Sequence, residues 1–142
     1  MFRGEGGGTV VADSAERFGY PVVDIPAGAA GSAEAAVKFL VEQLARLGRL
    51  RTRDVESVCR HVLCRESQGP SCIGGGVALP HSKSDAVGRV SGVIGRSALP
   101  IPWRRGREDD TVRLVCLLVT PTSEPGKSLR ALEDLARKIA GG

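Results

Sequence analysis

The sequence predicts an α/β domain, with α+β left open, in which helices flank a mixed β-sheet. Three observations carry this prediction. Two helical stripes come early, β-like runs fill the middle of the chain, and an amphipathic helix closes it. At 142 residues the chain is expected to form one domain with an ordinary core and no need of covalent staples.

Residues 1 to 20 read as a flexible tail, because Gly6, Gly7 and Gly8 interrupt any packing pattern. The domain is placed at 21 to 142, beginning with a short strand at "YPVVDI". Gly31 and Ser32 then offer a helix cap, and Ala36, Val37, Leu40, Val41, Leu44 and Leu47 recur at helical spacing until Gly48 stops the run. Thr52 is the expected cap of a second helix, where Val55, Val58, Cys59, Val62 and Leu63 form the stripe of a helix laid on a core.

After the breaker "QGPS" come three β-like runs. "GGVALP" is the first; "VGRVSGVIGRS" follows, with partial alternation through Val87, Val93 and Ile94. "VRLVCLLVT" is apolar at nearly every position, as a strand covered on both faces must be. Leu129, Leu132, Leu135, Ala136 and Ile139 mark the closing helix, with Glu133–Arg137 and Asp134–Lys138 as favourable i,i+4 pairs.

Hydrophobic residues at 42% and charged residues at 25% are globular values. A net charge of +4 favours solubility and does not call for nucleic acid. The cluster Arg46, Arg49, Arg51 and Arg53 lacks interleaved aromatics and reads as a solvated turn between helices. No apolar run reaches bilayer length, so no direct membrane insertion is expected. The N-terminus lacks a basic-then-apolar signal, and Cys59, Cys64, Cys72 and Cys116 form no CxxC pair. Reduced thiols and a cytoplasmic location are the expectation.

Chemistry converges on His81, one of two histidines. Gly74, Gly75 and Gly76 let the chain turn sharply or approach another group closely, and Pro80 fixes φ just before the imidazole. A histidine so held can act as a base, a metal ligand or a nucleophile. Spacing alone does not separate these roles from an idle loop histidine. Metal binding is disfavoured, because Cys59, His61 and Cys64 fall on different faces of one predicted helix. No GxSxG elbow is present, and the glycines at 74 to 76 do not form a Walker loop, since no GK[ST] follows them.

The segment "CRESQGPSCIGGGVALPHSK" resembles the active-site segment of the type-2 enzyme IIA domains of the bacterial sugar phosphotransferase system, the fructose, mannitol and nitrogen-regulatory class. The matching residues are Arg65 and Glu66 at a helix end, Ser71, Cys72, Ile73 and Gly74 in the loop, and Ala78, Leu79, Pro80 and His81 in the following run. "LPIPW", "VRLVCLLVTP" and "SLRALEDLARKIA" are similar too, so the likeness covers about residues 25 to 140.

The resemblance implies a phosphocarrier that needs no metal or organic cofactor. His81 would accept a phosphoryl group from a histidine phosphocarrier protein and pass it to a IIB domain, or act through a regulatory target protein. Arg65 is the implied donor to phosphate oxygens, for its forked guanidinium suits them; glycine-loop amides are a further source of donors. Glu66 and Ser71 are read as caps or supporting partners. A second reading keeps the fold as a degenerate regulatory binding module without onward transfer, and a third is an anion-binding domain with no covalent step.

Three departures from the family pattern stand out. Ser128 occupies the place of a second histidine usual in such domains, with Lys127 beside it; it can offer a hydrogen bond to phosphate but no charge. Cys72 replaces a loop glycine and brings a thiol toward the site. The sequence also stops short of the terminal helical segment usual in such domains, which leaves two alternatives open, a trimmed fold or a fragment.

Overall fold

The computed structural model describes residues 18 to 103 and 111 to 141. Most of the expected tail lies outside the described residues. Six strands form one mixed sheet. They are β1 (Val22–Ile25), β2 (Cys72–Gly74), β3 (Val77–Ala78), β4 (His81–Lys83), β5 (Ser91–Pro102) and β6 (Thr111–Thr120). The helices are α1 (Ala33–Arg46), α2 (Val55–Gln68) and α3 (Pro125–Gly141). The strand order is β1-β5-β6-β3-β2, with β4 also paired to β6. β1 runs parallel to β5, β5 antiparallel to β6, and β3 and β4 parallel to β6.

The ends of α1 follow local chemistry. Ser32 Oγ accepts the Ala35 amide at 3.0 Å, the expected N-cap. At the other end Gly48 takes φ +77°, and the Gly48 and Arg49 amides bond to the Ala45 and Leu44 carbonyls at 3.0 and 2.9 Å. That is a Schellman ending, which only a left-handed residue permits. Thr52 does not cap α2 as expected. Instead Thr52–Asp54 forms a 3-10 turn closed by Asp54 N–H to the Arg51 carbonyl at 2.9 Å, and α2 begins at Val55. Arg49, Arg51 and Arg53 are exposed in this connection.

Both faces of the sheet are covered. Val23, Ile25, Ala78, Val93, Val115, Leu117 and Val119 join one core with α1 and α2, including Val37, Leu40, Val58 and Val62. Val22, Val77, Leu79, Ile94, Cys116 and Leu118 join a second core with Leu135 of α3. Successive side chains point to opposite faces of a strand, so a strand between two helical layers must be apolar throughout. β6 meets that requirement as predicted. β5 meets it too, with Ser91 through Gly95 all buried, so its partial alternation was a misleading guide. It starts at Ser91, leaving Val87 in the preceding loop, and it continues through "LPIP" across a register shift between Arg96 and Ile101.

The closing helix starts earlier than its apolar stripe, at Pro125, and so takes in Ser128. Lys138 pairs with Asp134 at 3.0 Å as expected, whereas Arg137 turns to the same Asp134 at 3.1 Å.

Burial separates the four thiols, and this gives a direct check of the two-sided sheet. Cys116 is buried and its thiol is pushed up to about 12, while desolvation first and Glu42 second raise Cys59 to about 11. A raised value leaves less thiolate at any given pH, and thiolate is the reactive form. Iodoacetamide near neutral pH is therefore expected to modify exposed Cys64 first and Cys116 only once denaturant opens the sheet. Peptide mass mapping reads the order, and early labelling of Cys116 contradicts the packing of α3 on β6.

Candidate functional site

His81 opens β4, and its position is fixed by β6. Val77 and Ala78 pair with Leu114 and Val115, and His81, Ser82 and Lys83 pair with Leu118, Val119 and Thr120. The register is the same before and after Pro80, so β3 and β4 are one line of chain. Pro80 interrupts the ladder because it has no N–H to give. Its carbonyl still accepts the Leu118 amide at 3.1 Å. Leu79 points its own polar groups elsewhere: its N–H donates to the Ser71 carbonyl at 3.0 Å, and its carbonyl lies 2.8 Å from His81 Nδ1.

That last contact sets the tautomer of the ring. A carbonyl oxygen can only accept, so Nδ1 carries the proton and the lone pair is left on Nε2. The half-exposed imidazole shares a sheet face with Leu79 and Leu118, the face covered by α3.

A carboxylate holds this arrangement from below. Glu66, near the end of α2, accepts the Ser71 amide on Oε2 and the Ser71 hydroxyl on Oε1, both at 2.7 Å. Its Oε2 also accepts Trp103 Nε1–H at 2.8 Å. A line of hydrogen bonds thus runs from Glu66 through Ser71 and Leu79 to His81. The sequence placed Glu66 and Ser71 among supporting residues. Trp103 was legible only as part of "LPIPW", and a lone tryptophan carries no sign that its N–H will meet a carboxylate distant in the chain.

Arg65 immediately precedes Glu66, so the same anchor fixes the helix turn that carries it. Its guanidinium is exposed, and among the described residues it makes no ion pair and no hydrogen bond to His81. Ser128 lies in the first turn of α3, only 4% exposed. Its hydroxyl donates to the Glu124 carbonyl at 3.2 Å and its amide to the same oxygen at 3.1 Å. Lys127 Nζ pairs with Glu124 Oε1 at 2.7 Å.

The three glycines build a hairpin rather than a phosphate cradle. Gly75 and Gly76 link β2 to β3 with φ +65° and +77°, the pattern of a type I′ turn, and Gly74 at φ +90° adjoins a register shift. An added Cβ would meet nothing within 4 Å at Gly74 and Gly75, so dihedral freedom and not close approach is the need. The hairpin lies beside Arg113 and Leu114, whereas His81 lies beside Leu118. Four residues of strand are roughly 13 Å, so the glycine amides are out of reach of a group on His81. Cys72 pairs with Ala78, and its side chain packs against the core under α1 and α2.

His61 and Cys64 are exposed on α2 while Cys59 is half-buried, and among the described residues no cluster of metal-ligating side chains occurs. Clefts of about 690 Å³ beside Trp103 and Glu66 and about 1110 Å³ between α1 and α2 do not include His81. The imidazole is half-exposed at the start of β4. No helix among the described residues is long and apolar enough to cross a membrane.

The anchor is open to test. Glu66→Ala leaves the Ser71 and Trp103 donors without an acceptor, an expected loss of about 2–3 kcal/mol in urea unfolding, with a shift in Trp103 emission. Glu66→Gln offers one amide oxygen where three donors converge, and is expected to lose part of that. An unchanged midpoint for both variants contradicts the anchor.

Comparison with known proteins places these features. Residues 24–141 match the family model described as "Phosphoenolpyruvate-dependent sugar phosphotransferase system, EIIA 2". The 2-O-alpha-mannosyl-D-glycerate-specific EIIABC component of Escherichia coli K12 is 33% identical over 77% of this chain, which spans only 16% of that longer protein. The nitrogen regulatory protein of Bradyrhizobium diazoefficiens is 32% identical over 70% of this chain and 65% of its own length. The crystal structure of nitrogen regulatory protein IIA-Ntr from Neisseria meningitidis superposes with a TM-score of 0.66 at 28% identity, covering 84% of this chain and 77% of that one. The chain belongs to the EIIA 2 family of the phosphoenolpyruvate-dependent sugar phosphotransferase system.

Proposed function

We propose that the chain is a phosphocarrier that takes a phosphoryl group on His81 Nε2. The observation that carries this reading is the Nδ1–H bond to the Leu79 carbonyl, which leaves the Nε2 lone pair on a partly exposed ring. The donor is the phosphohistidine of a histidine phosphocarrier protein. Nε2 attacks phosphorus in line and forms a new N–P bond. The old N–P bond breaks, and its electron pair returns to the donor imidazole. Positive charge that builds on the His81 ring is met by the carbonyl on Nδ1–H.

Onward transfer is the same step reversed toward an acceptor, a IIB domain or a regulatory target. Phosphoryl transfer asks a protein for position and for donors to the equatorial oxygens. Arg65 is the main such donor, from a helix end anchored to the strand that carries His81. Ser128 contributes less, because its hydroxyl must first leave the Glu124 carbonyl.

That same bond favours the second reading, a regulatory module that is phosphorylated and does not pass the group on. With Ser128 buried and committed, its hydroxyl is not ready to guide transfer to an acceptor. Relatives described as sugar-specific EIIA components and as nitrogen regulatory proteins are compatible with either output.

Incubation with phosphoenolpyruvate, enzyme I and the histidine phosphocarrier protein is expected to add one acid-labile, base-stable phosphoryl group, lost in His81→Ala. Arg65→Ala is expected to slow labelling by about tenfold or more, and Ser128→Ala by less. No label on the wild-type chain with an active donor mixture overturns the phosphocarrier reading. Label that stays when a IIB domain is added selects the regulatory reading.

A further inference from the structure

We infer that Lys83 is the second phosphate-binding cation of the site, closing on the oxygens of a phosphoryl group carried by His81. The inference rests on the phosphocarrier reading and goes beyond it by assigning a residue to which that reading gives no role.

A phosphoryl group brings up to about two negative charges. Arg65 supplies one positive charge and Ser128 none, so the residues assigned so far leave the group under-compensated. Lys83 stands two places after His81 in β4. Residues i and i+2 of a strand point to the same face, with Cα atoms about 6.6 Å apart. The strand is held straight over this interval: His81 and Lys83 pair with Leu118 and Thr120, and the Ser84 amide bonds the Thr120 carbonyl at 2.8 Å. The four-carbon stem of lysine spans such a gap, and its ammonium can turn to meet oxygens from several directions.

Lys83 is also unclaimed. It is exposed, and among the described residues it enters no ion pair. Of the acids on the adjoining turns, Asp85 accepts the Thr122 hydroxyl and Glu124 holds Lys127, and neither forms an ion pair with Lys83. A cation with no ion-pair partner among the described residues, beside a nucleophilic imidazole, is placed to meet the anion that arrives. Lys127, by contrast, must give up Glu124 first.

The test compares wild type, Lys83→Met, Lys83→Arg and Lys38→Met, the last removing an exposed charge on α1. Two donors are used: the protein mixture above, and potassium phosphoramidate, a small anion that needs no protein docking. Rates of His81 labelling and the lifetime of the phosphohistidine after donor removal are followed by mass and by ³¹P NMR. Lys83→Met is expected to label about tenfold more slowly with both donors and to hold the group for a different time. Lys83→Arg is expected to restore most of the rate, and Lys38→Met to behave as wild type.

Wild-type rates and lifetime in Lys83→Met overturn the inference while leaving the phosphocarrier reading intact. A defect confined to the protein donor overturns it as well, since that places Lys83 in docking. Equal impairment of Lys83→Arg and Lys83→Met assigns a steric role and overturns it too. An unlabelled wild type removes both the reading and the inference.

Discussion

The carboxylate of Glu66 is the interaction on which the site depends. It gathers three donors from two distant parts of the chain: the Ser71 amide, the Ser71 hydroxyl and the Trp103 indole. An ionised acceptor makes each of these bonds stronger than a neutral one would. The segment it ties down is "QGPS", whose glycine adds backbone freedom and whose proline has no N–H to hydrogen-bond. With Ser71 fixed, its carbonyl fixes the Leu79 amide, and the Leu79 carbonyl in turn fixes the imidazole. The tautomer of His81 is thus set by main chain. A carboxylate in that place would titrate and change its demand on the ring, whereas an amide carbonyl keeps the same demand at every pH.

The sheet supplies the rest of the precision. β6 is buried on both faces and paired along both edges, which makes it the most constrained strand in the fold. The chain from Val77 to Lys83 lies along it in one register, even though Pro80 gives up a ladder bond. That loss has a use. With the Pro80 carbonyl directed at β6 and both polar groups of Leu79 directed away from it, the peptide next to the imidazole is free to serve the imidazole. Chemistry on the edge of a rigid scaffold combines positional accuracy with access for a protein-sized partner.

The parts of this fold that were legible in the sequence are those governed by local periodicity. α1 announced itself through Ser32, its apolar stripe and Gly48, each of which acts within a few residues of its own position. β6 was legible because two-sided burial leaves an unbroken apolar run. β2 and β4 were not, since "CIG" and "HSK" are too short to hold a pattern and exist only through pairing with β3 and β6. The glycines invited two explanations, turn or phosphate cradle, and only the register that carries the hairpin away from His81 separates them. At the site, His81 and Arg65 were marked by the family motif. The bonds of Glu66 to Trp103 and of Ser128 to Glu124 depend on where side chains fall after folding, and composition does not encode that.

On the proposed reading, in which His81 carries a phosphoryl group, carrier and signal would differ by the lifetime of one bond. Every contact that holds the phosphoryl oxygens in the resting phosphoprotein deepens a ground state, and only contacts that strengthen as the N–P bond stretches speed departure. A forked guanidinium at a helix end and a flexible ammonium on the strand would both neutralise the resting group. A small hydroxyl on the α3 side, already spent on its own helix, does little to favour the stretched state over the resting one. Under that proposal the geometry would favour easy acceptance with a longer stay, and a longer stay would give a partner time to read the change in surface charge. Whether the group then leaves depends on what the acceptor brings to the open edge of β4, so the direction of flow is a property of the pair of proteins and not of His81 alone.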